Sequence, residues 1–480
     1  MQVWLWCIVT ALLAYVAQIG VILLLEHRRQ SHLAAWIFVA MVCPYLGFAA
    51  YWLLGRRIVR VRTRRLIDEQ ASESDRRREA QSRKGNESGI ESLGDRLTAL
   101  VEARLPYPAT NRNRTTVLTD GEDTFDSILK AIEQAEHHIH LDYYTIRNDG
   151  IGNRFLDELT KKAKAGVQVR VLYDGIGSLH LSESFIRQLR SSGAKTACFS
   201  PPGESLLKRR LNFRNHRKIV IVDGLVGFQG GINIGDEYLG LDKRLGYWRD
   251  THLKLEGDSV HQLQSIFMDN WFRATKERIQ EESEGRPSPY YPAHRCDNSE
   301  QVILVPGKPG IHDQMIVEAL FVAMSEARQT IYATTPYFIP DPSIAASLRI
   351  AARSGIDVKL IIPGICDSKL VLLATFSYVQ DMLDAGVQIY RYWKGFNHAK
   401  VLIVDGRLAS VGTANLDMRS LYSNYELLAF LQGEKPVRRL TEDFMNDLAQ
   451  SKRIDPEEFA NRPRKQKAKE SVLHLLSPLL

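Results

Sequence analysis

The sequence contains one polar stretch twice, NHRKIVIVDGLVGFQGGINIGDEY over 215–238 and NHAKVLIVDGRLASVGTANLDMRS over 397–420. Both copies read His-x-Lys, four apolar residues and Asp, followed further on by a pair of small residues and an Asn. Alternate side chains of a strand share a face, so the His and Lys of each copy project together. The apolar run predicts a strand buried on both faces, and Asp-Gly predicts the turn after it. Each copy therefore offers an imidazole, an ammonium and an amide at one place.

A longer pattern of helices and strands surrounds both copies. Apolar spacing and glycine stops predict helix, strand, helix and strand in the first part of the chain and again in the second. The predicted segments are 124–135, 138–144, 154–166 and 167–174, and then 315–327, 330–338, 344–355 and 356–364. The period is far longer than the roughly 20–50 residues of solenoid repeats. We therefore predict a duplicated α/β domain.

The domain boundaries follow from this repeat. We expect a first half over 106–300, with its motif at 215–233, and a second half over 301–480, with its motif at 397–415. Polar, arginine-rich sequence over 56–105 predicts a linker.

The N-terminus has two uncharged apolar stretches, over 3–25 and 33–54. About 20 such residues cross a bilayer as a helix, so a transmembrane helical hairpin is predicted over 1–55, kinked at Pro44. A cleaved signal peptide is disfavoured because no basic residue precedes the first stretch. Arginines are more numerous after the second stretch than in the turn, so the catalytic region is predicted to be cytoplasmic.

Composition narrows the possible partners. The formal net charge of +7 favours an anionic partner, either nucleic acid or acidic lipid, without choosing between them. The five cysteines are widely spaced and form no CxxC pair, which predicts a reducing compartment and no thiolate zinc site.

Two copies packed symmetrically would give one site suited to a phosphodiester. Lysine and asparagine donors can hold the phosphoryl oxygens, one histidine can attack phosphorus, and the other can protonate the leaving oxygen. No metal or cofactor is required by this chemistry. The candidate catalytic residues are His216, Lys218, Asp223, His398, Lys400 and Asp405, and the candidate phosphate-binding or supporting residues are Gly231, Asn233, Thr413 and Asn415.

Each histidine also needs a partner at its other ring nitrogen. Asp250 and Glu426 begin comparable strand-like segments downstream of the first and second histidine, and we expect these carboxylates to orient the rings. Asp223 and Asp405 are expected to anchor a turn or to pair with a nearby Lys or Arg rather than to touch substrate. The HHIH run over 137–140 could suggest a metal site, but strand alternation separates its members, and neutral histidines are expected instead.

The paired motifs resemble the HKD motifs of the phospholipase D superfamily, and the hairpin followed by two motifs resembles the bacterial cardiolipin synthases. Further likeness lies in YWRD at 247–250, TPYFIPD at 335–341 and the final LLSPLL. The resemblance implies a double α/β sandwich and a phosphatidyl-histidine intermediate. It implies transfer between two phosphatidylglycerols with release of glycerol, His216 as nucleophile and His398 as acid and base. Gly231 stands where the superfamily commonly has serine.

The resemblance also implies a multi-pass protein of the bacterial inner membrane whose partner is an anionic phospholipid. Several alternatives stay open at this point. These are a phospholipase D hydrolase, a transphosphatidylase with another acceptor, a nucleic-acid phosphodiesterase and a catalytically silent scaffold. The membrane anchor disfavours nucleic acid, and the intact motifs disfavour the scaffold. The oligomeric state is left open by the sequence.

Overall fold

The computed structural model describes residues 2–26, 30–52, 93–201, 213–279, 288–310 and 314–477. Its helices are α1 Gln2–Glu26, α2 Gln30–Val42, α3 Leu46–Ala50, α4 Asp95–Arg104, α5 Asp120–Glu133, α6 Gly150–Lys164, α7 Glu183–Ser191, α8 Asp258–Thr275, α9 Met315–Ser325, α10 Pro342–Arg353, α11 Lys369–Asp384, α12 Met418–Tyr422, α13 Glu434–Ala449, α14 Pro456–Ala460 and α15 Arg464–Leu476.

The strands of the first half are β1 Asn113–Thr119, β2 His138–Tyr143, β3 Gln168–Asp174, β4 Lys195–Phe199, β5 Arg214–Asn215, β6 Lys218–Val222, β7 Val226–Gly230, β8 Tyr247–Arg249 and β9 Thr251–Gly257. Those of the second half are β10 Gln301–Gly307, β11 Thr330–Thr334, β12 Phe338–Ile339, β13 Asp357–Pro363, β14 Gln388–Tyr392, β15 Gly395–Asn397, β16 Val401–Val404, β17 Leu408–Gly412, β18 Leu416–Asp417, β19 Asn424–Gln432 and β20 Ser451–Arg453.

The two large sheets have the same strand order. The first runs β1-β9-β7-β6-β2-β3-β4, and the second runs β10-β19-β17-β16-β11-β13-β14, with β20 added at its edge. In both sheets the last three shared strands are parallel and the others antiparallel. The predicted duplicated α/β fold is therefore confirmed, and the two motif strands β6 and β16 occupy equivalent central places.

The sheets face each other across a shared apolar core. Side chains from both sheets meet there, including Leu172, Ile219, Ile221, Leu253, Leu304, Ile361, Ile403 and Val411. The outer face of each sheet is covered by its own helices, which bury Phe125 and Phe155 in the first half and Leu320 and Leu348 in the second. Because β6 and β16 are buried on both faces, their sequences read as apolar runs.

Two short strand pairs cross between the halves and decide the geometry of the site. Strand β5, just before the first motif, pairs in parallel with the start of β19. Strand β15, just before the second motif, pairs in parallel with β8. The His216 main-chain N–H donates to the Tyr425 oxygen (2.9 Å), and that of His398 donates to the Arg249 oxygen (2.7 Å). Each motif histidine is thus held beside a strand of the opposite half.

The predicted linker over 56–105 ends earlier than expected. Residues 53–92 lie outside the described part of the chain, but α4 is a helix that packs on α9 of the second half. Leu97 and Val101 stand one helical turn apart and are both fully buried in the second-half core. This apolar pair, inside an otherwise polar segment, is the physical reason for the difference.

The predicted hairpin is supported in part. Helix α1 contains Trp4–Leu23, the one stretch among the described residues that is long and apolar enough to cross a membrane. The second stretch breaks at Pro44 into α2 and α3, as the proline led us to expect, and Tyr45 has a positive φ of 64°. Helices α1 and α2 pack together, and α2 also contacts α15 near the C-terminus.

Candidate active site

The two motif histidines are each held by a buried carboxylate. His216 Nδ1 lies 3.0 and 2.9 Å from the two oxygens of Glu426, and His398 Nδ1 lies 2.8 Å from Asp250 Oδ2. Both carboxylates are completely buried. A carboxylate at Nδ1 fixes the tautomer in which that nitrogen carries the proton, which leaves the Nε2 lone pair for chemistry. Asp250 and Glu426 thus each contact a motif histidine at the ring nitrogen that an orienting group would hold.

The pairing, however, crosses between the halves. Along the chain, Asp250 follows His216 and Glu426 follows His398, but the structure exchanges these partners. The cause is the crossed strand pairing: β5 brings His216 to β19, which carries Glu426, and β15 brings His398 to β8, which Asp250 follows. A site with this geometry needs both halves, and neither half alone orients its own histidine.

The two motif lysines lie beside the histidines. Lys218 Nζ donates to the His216 main-chain oxygen (2.7 Å) and lies 5.4 Å from the centre of the Tyr144 ring. Lys400 Nζ lies 3.1 Å from His398 Nε2. Burial, with repulsion between the two ammonium groups, lowers the pKa of Lys218 to about 7. Burial lowers the pKa of Lys400 to about 8. Both amines are thus desolvated, and an anion in the cavity would favour their charged forms.

The pKa values of the two imidazoles and the two carboxylates are shifted as well. Burial and the Lys400 charge lower the pKa of His398 to about 4, and burial lowers the pKa of His216. Burial alone would raise the pKa of Asp250 and Glu426, but the adjacent lysines and histidines outweigh it and hold both pKa values below their usual range. At neutral pH both rings are therefore neutral and both carboxylates ionised.

The motif aspartates lie away from this cluster, as the turn-anchor hypothesis required. Asp223 accepts hydrogen bonds from three consecutive main-chain N–H groups at 136–138, and Asp405 accepts the equivalent three at 328–330, all at 2.8 Å. Strand β6 separates Asp223 from Lys218 by about 16 Å, at ~3.3 Å per residue. Their place among the candidate catalytic residues is therefore corrected: they fix the start of the neighbouring strand.

The remaining predicted residues divide between the cavity and its support. Asn233 and Asn415 both line the cavity between the histidines. Thr413 instead supports Glu426, because its hydroxyl donates to Oε2. Gly231, the equivalent of Thr413, faces Asp250: a Cβ at this position would come within 2.0 Å of Asp250 Oδ1. The residue at 231 must therefore be small so that this carboxylate can reach His398.

The histidines open onto a cavity of about 800 Å³. Near His216 its wall contains Tyr144, whose ring centre is 4.9 Å from the imidazole, together with two arginines, Arg214 and Arg419. Near His398 it contains Trp248 at 5.2 Å and Tyr337 at 6.3 Å between ring centres. The first wall is cationic. The second carries carboxylates from Glu237, Asp242 and Asp367, with two further arginines, Arg147 and Arg244, beside them.

Sequence reasoning missed several of these cavity residues. Trp248 and Tyr337 lie in YWRD and TPYFIPD, two stretches that indicated only a resemblance to the family and no role in the site. Arg419 and Asp367 had no such signal, because each is a single charged residue in a loop or short helix. Within the described residues, no three His, Cys, Asp or Glu side chains are grouped as a metal centre would require.

The fold and this site define a class: a two-half enzyme of phospholipase D type in which two carboxylate-held histidines face one cavity. Comparison with known proteins then narrows the class. The family model described as "cardiolipin synthase, PLD-like domain" matches residues 128–271 and 320–448. The chain is 42% identical over 474 residues to cardiolipin synthase 2 of Bacillus anthracis, covering 96% of this chain and 89% of that protein. It is 41% identical over 467 residues to cardiolipin synthase of Geobacillus kaustophilus, covering 96% and 91%.

This chain belongs to the cardiolipin synthase family of phospholipase D-like proteins, and it is a phosphatidyltransferase with a phospholipid substrate. Among solved structures, phosphatidylserine synthase from Haemophilus influenzae matches with a TM-score of 0.58 at 14% identity, over 80% of this chain and all of that one. That likeness concerns the fold alone, and it agrees with the paired sheets described above.

Proposed function

We propose that this enzyme makes cardiolipin by transferring the phosphatidyl group of one phosphatidylglycerol to the terminal hydroxyl of another, releasing glycerol. The observation that carries the proposal is the pair of carboxylate-held histidines with their lysines around one cavity. Two oriented imidazoles allow a substitution in two steps, and buried cations stabilise the charge that develops at phosphorus.

In the first step, His216 Nε2 attacks phosphorus while the bond to the glycerol oxygen breaks. His398, protonated, gives its proton to that oxygen so that glycerol leaves neutral. The pKa of His398 is about 4, and entry of the phosphodiester anion raises it because an adjacent negative charge favours the imidazolium. Glu426 stabilises the positive charge that develops on His216 as it becomes bonded to phosphorus.

In the second step, the acceptor hydroxyl replaces glycerol. His398, now neutral, takes its proton, the oxygen forms the new bond to phosphorus, and the bond from phosphorus to His216 breaks. Asp250 stabilises the positive charge on His398 whenever its ring carries two protons. The enzyme thus returns to its starting protonation state, and no water is consumed.

We further propose that the N-terminal helices anchor the enzyme in the bacterial inner membrane as a two-pass hairpin, with the catalytic halves on the cytoplasmic side. Support comes from α1, whose Trp4, Leu5 and Trp6 side chains are largely exposed in the absence of lipid. Packing of α2 on α15 keeps the catalytic halves next to the anchor. The substrates would then enter from the lipid phase.

The test uses purified full-length enzyme in detergent, with labelled phosphatidylglycerol as the sole lipid and a metal chelator present. We expect cardiolipin and glycerol in equal amounts. His216→Ala and His398→Ala should each lower the rate by at least about a thousandfold. Phosphatidic acid without cardiolipin would mean that water is the acceptor and would contradict the proposal.

A further inference from the structure

The cavity wall beside His398 contains a carboxylate that the transfer steps above do not use. Asp367 lies in the loop between β13 and α11 and lines the cavity. The Tyr337 hydroxyl donates to its Oδ2 atom. Among the described residues, Oδ1 of Asp367 has no hydrogen-bond partner and no cation is paired with the side chain.

The other carboxylates of the cavity have partners of their own. Glu237 forms an ion pair with Arg147, and Asp242 accepts the main-chain N–H groups of its own turn at 244 and 245. Asp417 caps α12 by accepting from the Ser420 N–H. Among the described residues Glu237 and Asp242 also keep one oxygen without a hydrogen-bond partner, but Asp367 is the carboxylate bonded to Tyr337, whose ring centre lies 6.3 Å from that of His398.

The position of Asp367 is fixed from two sides. Arg244 reaches over from the first half and donates to the main-chain oxygens of Cys366 (3.1 Å) and Asp367 (3.4 Å). Thr335 accepts the Leu416 N–H and donates to the Tyr337 main-chain oxygen (2.9 Å), which holds Tyr337 beside the second motif. Asp367 is an exposed residue at the edge of the cavity, and these contacts hold its loop beside Tyr337 and His398.

From this placement we propose that Asp367, held by Tyr337, is the specificity-determining residue for glycerol hydroxyls. It would accept a hydrogen bond from a hydroxyl of the acceptor headgroup while the terminal hydroxyl faces His398 Nε2. This inference rests on the proposed function and names the recognition of its acceptor.

The chemistry of the two walls supports a neutral polyol at this place. Arginines near His216 suit the phosphate, whereas a carboxylate repels phosphate and accepts from hydroxyl groups. The glycerol that leaves in the first step and the glycerol headgroup that enters in the second step occupy the same place in the cavity. Asp367 therefore serves both steps. A simple alcohol has no further hydroxyl group that could donate a hydrogen bond to it.

The test is a competition for the phosphatidyl-enzyme. Full-length enzyme in detergent is given phosphatidylglycerol with labelled glycerol and 1-propanol, which has the same carbon count but one hydroxyl. Labelled phosphatidylglycerol and phosphatidylpropanol are then separated and their ratio measured. For Asp367→Asn we expect the glycerol-to-propanol ratio to fall about tenfold, the size expected for one charge-assisted hydrogen bond, with phosphatidylpropanol formation retained. Tyr337→Phe should shift the ratio in the same direction by less.

Asp381→Asn is the matched control, because Asp381 is an exposed acid on the helix that follows Asp367. An unchanged ratio in Asp367→Asn would overturn the inference, as would a parallel loss of both products. Ethanolamine is run as a third acceptor: a larger loss for ethanolamine than for glycerol would mean a cation pocket and would also overturn it. Lack of any phosphatidyl transfer by the wild-type enzyme would contradict the proposed function itself.

Discussion

His216 and His398 occupy equivalent places in a duplicated fold, yet their surroundings differ in charge. Four residues after the motif asparagines stand Glu237 in the first half and Arg419 in the second. Four residues after β3 and β13 stand Ser178, whose hydroxyl bonds to the main chain of Tyr144 and Ile146 after β2, and Asp367, which faces the cavity. The two halves thus share the histidines and lysines, whereas the loops around them bring different charged residues to the cavity.

The supporting shells of the two histidines differ as well. Glu426 accepts from the Thr413 hydroxyl and from Asn424 Nδ2 at 3.0 Å, whereas Asp250 accepts from the Thr251 main-chain N–H at 2.8 Å. The shorter aspartate reaches its histidine because Gly231 leaves the space open. Equivalent histidines are therefore oriented by different means, and perturbing each shell should have different consequences.

The largest effect is expected from the crossed carboxylates. Glu426→Gln and Asp250→Asn keep the shape but lose the charge and allow the wrong tautomer, so kcat should fall by about 10²–10⁴ in each. In kinetic double-mutant cycles, Glu426→Gln should add little to His216→Ala, and Asp250→Asn little to His398→Ala. Additivity within these pairs, with coupling between His216 and Asp250 instead, would contradict the crossing.

The next largest effect is expected at acid pH, which should destabilise the first half more than the second. Histidines 138 and 140 on β2 are fully buried, whereas Thr330 and Tyr332 stand at the equivalent places on β11. Burial lowers the pKa of His138 to about 4. The unfolded chain binds its proton near pH 6.5, so this stability is present above ~6.5 and is lost as the pH falls toward 4.

His138 alone should then lower the free energy of unfolding of the first half by about 3 kcal/mol near pH 4. Hydrogen exchange at pH 7 and pH 5, read on peptides containing β2 and β11, measures the difference. We expect β2 to lose protection first, and His138→Asn should reduce its pH dependence. Equal loss in both strands would contradict this account of the asymmetry.

The turn aspartates should affect stability and leave catalysis nearly unchanged. Asp223→Asn and Asp405→Asn keep a residue tolerant of the positive φ (54° and 53°) but weaken three charge-assisted hydrogen bonds. Each should lower the free energy of unfolding by about 2 kcal/mol. Thermal denaturation gives the loss, and kcat at a temperature where both variants are folded gives the control. A hundredfold drop in kcat at that temperature would mean that these two aspartates take part in catalysis.

The smallest effects should come from the shell around the carboxylates. Thr413→Ala removes one hydroxyl from Glu426, and kcat should fall about fivefold, in line with one hydrogen bond. Gly231→Ala adds a methyl group into Asp250 and should cost more, about tenfold or above, because the carboxylate must move from His398. Steady-state kinetics of the two variants side by side decides the order, and the reverse order would be inconsistent with the geometry.

Much of this fold was predictable because its signals are local. Periodicity placed the helices at 120–133 and 315–325 and the strands around them to within a few residues, and the repeated motif gave the histidines, lysines and asparagines. The crossing of Glu426 and Asp250 was not predictable, since it depends on two short strands, β5 and β15, that pair across the halves. Helix α4 was read as linker for a related reason: its burial depends on a surface far along the chain.

The two equivalent histidines are proposed to have different roles, His216 as nucleophile and His398 as acid and base. A phosphatidyl donor with a p-nitrophenol leaving group tests this assignment directly, since this group needs no proton to leave. We expect His398→Ala to release one equivalent of p-nitrophenol and to retain labelled phosphatidyl group on the protein, while His216→Ala does neither. A burst and covalent label in His216→Ala, absent from His398→Ala, would contradict the assignment and exchange the roles of the two halves.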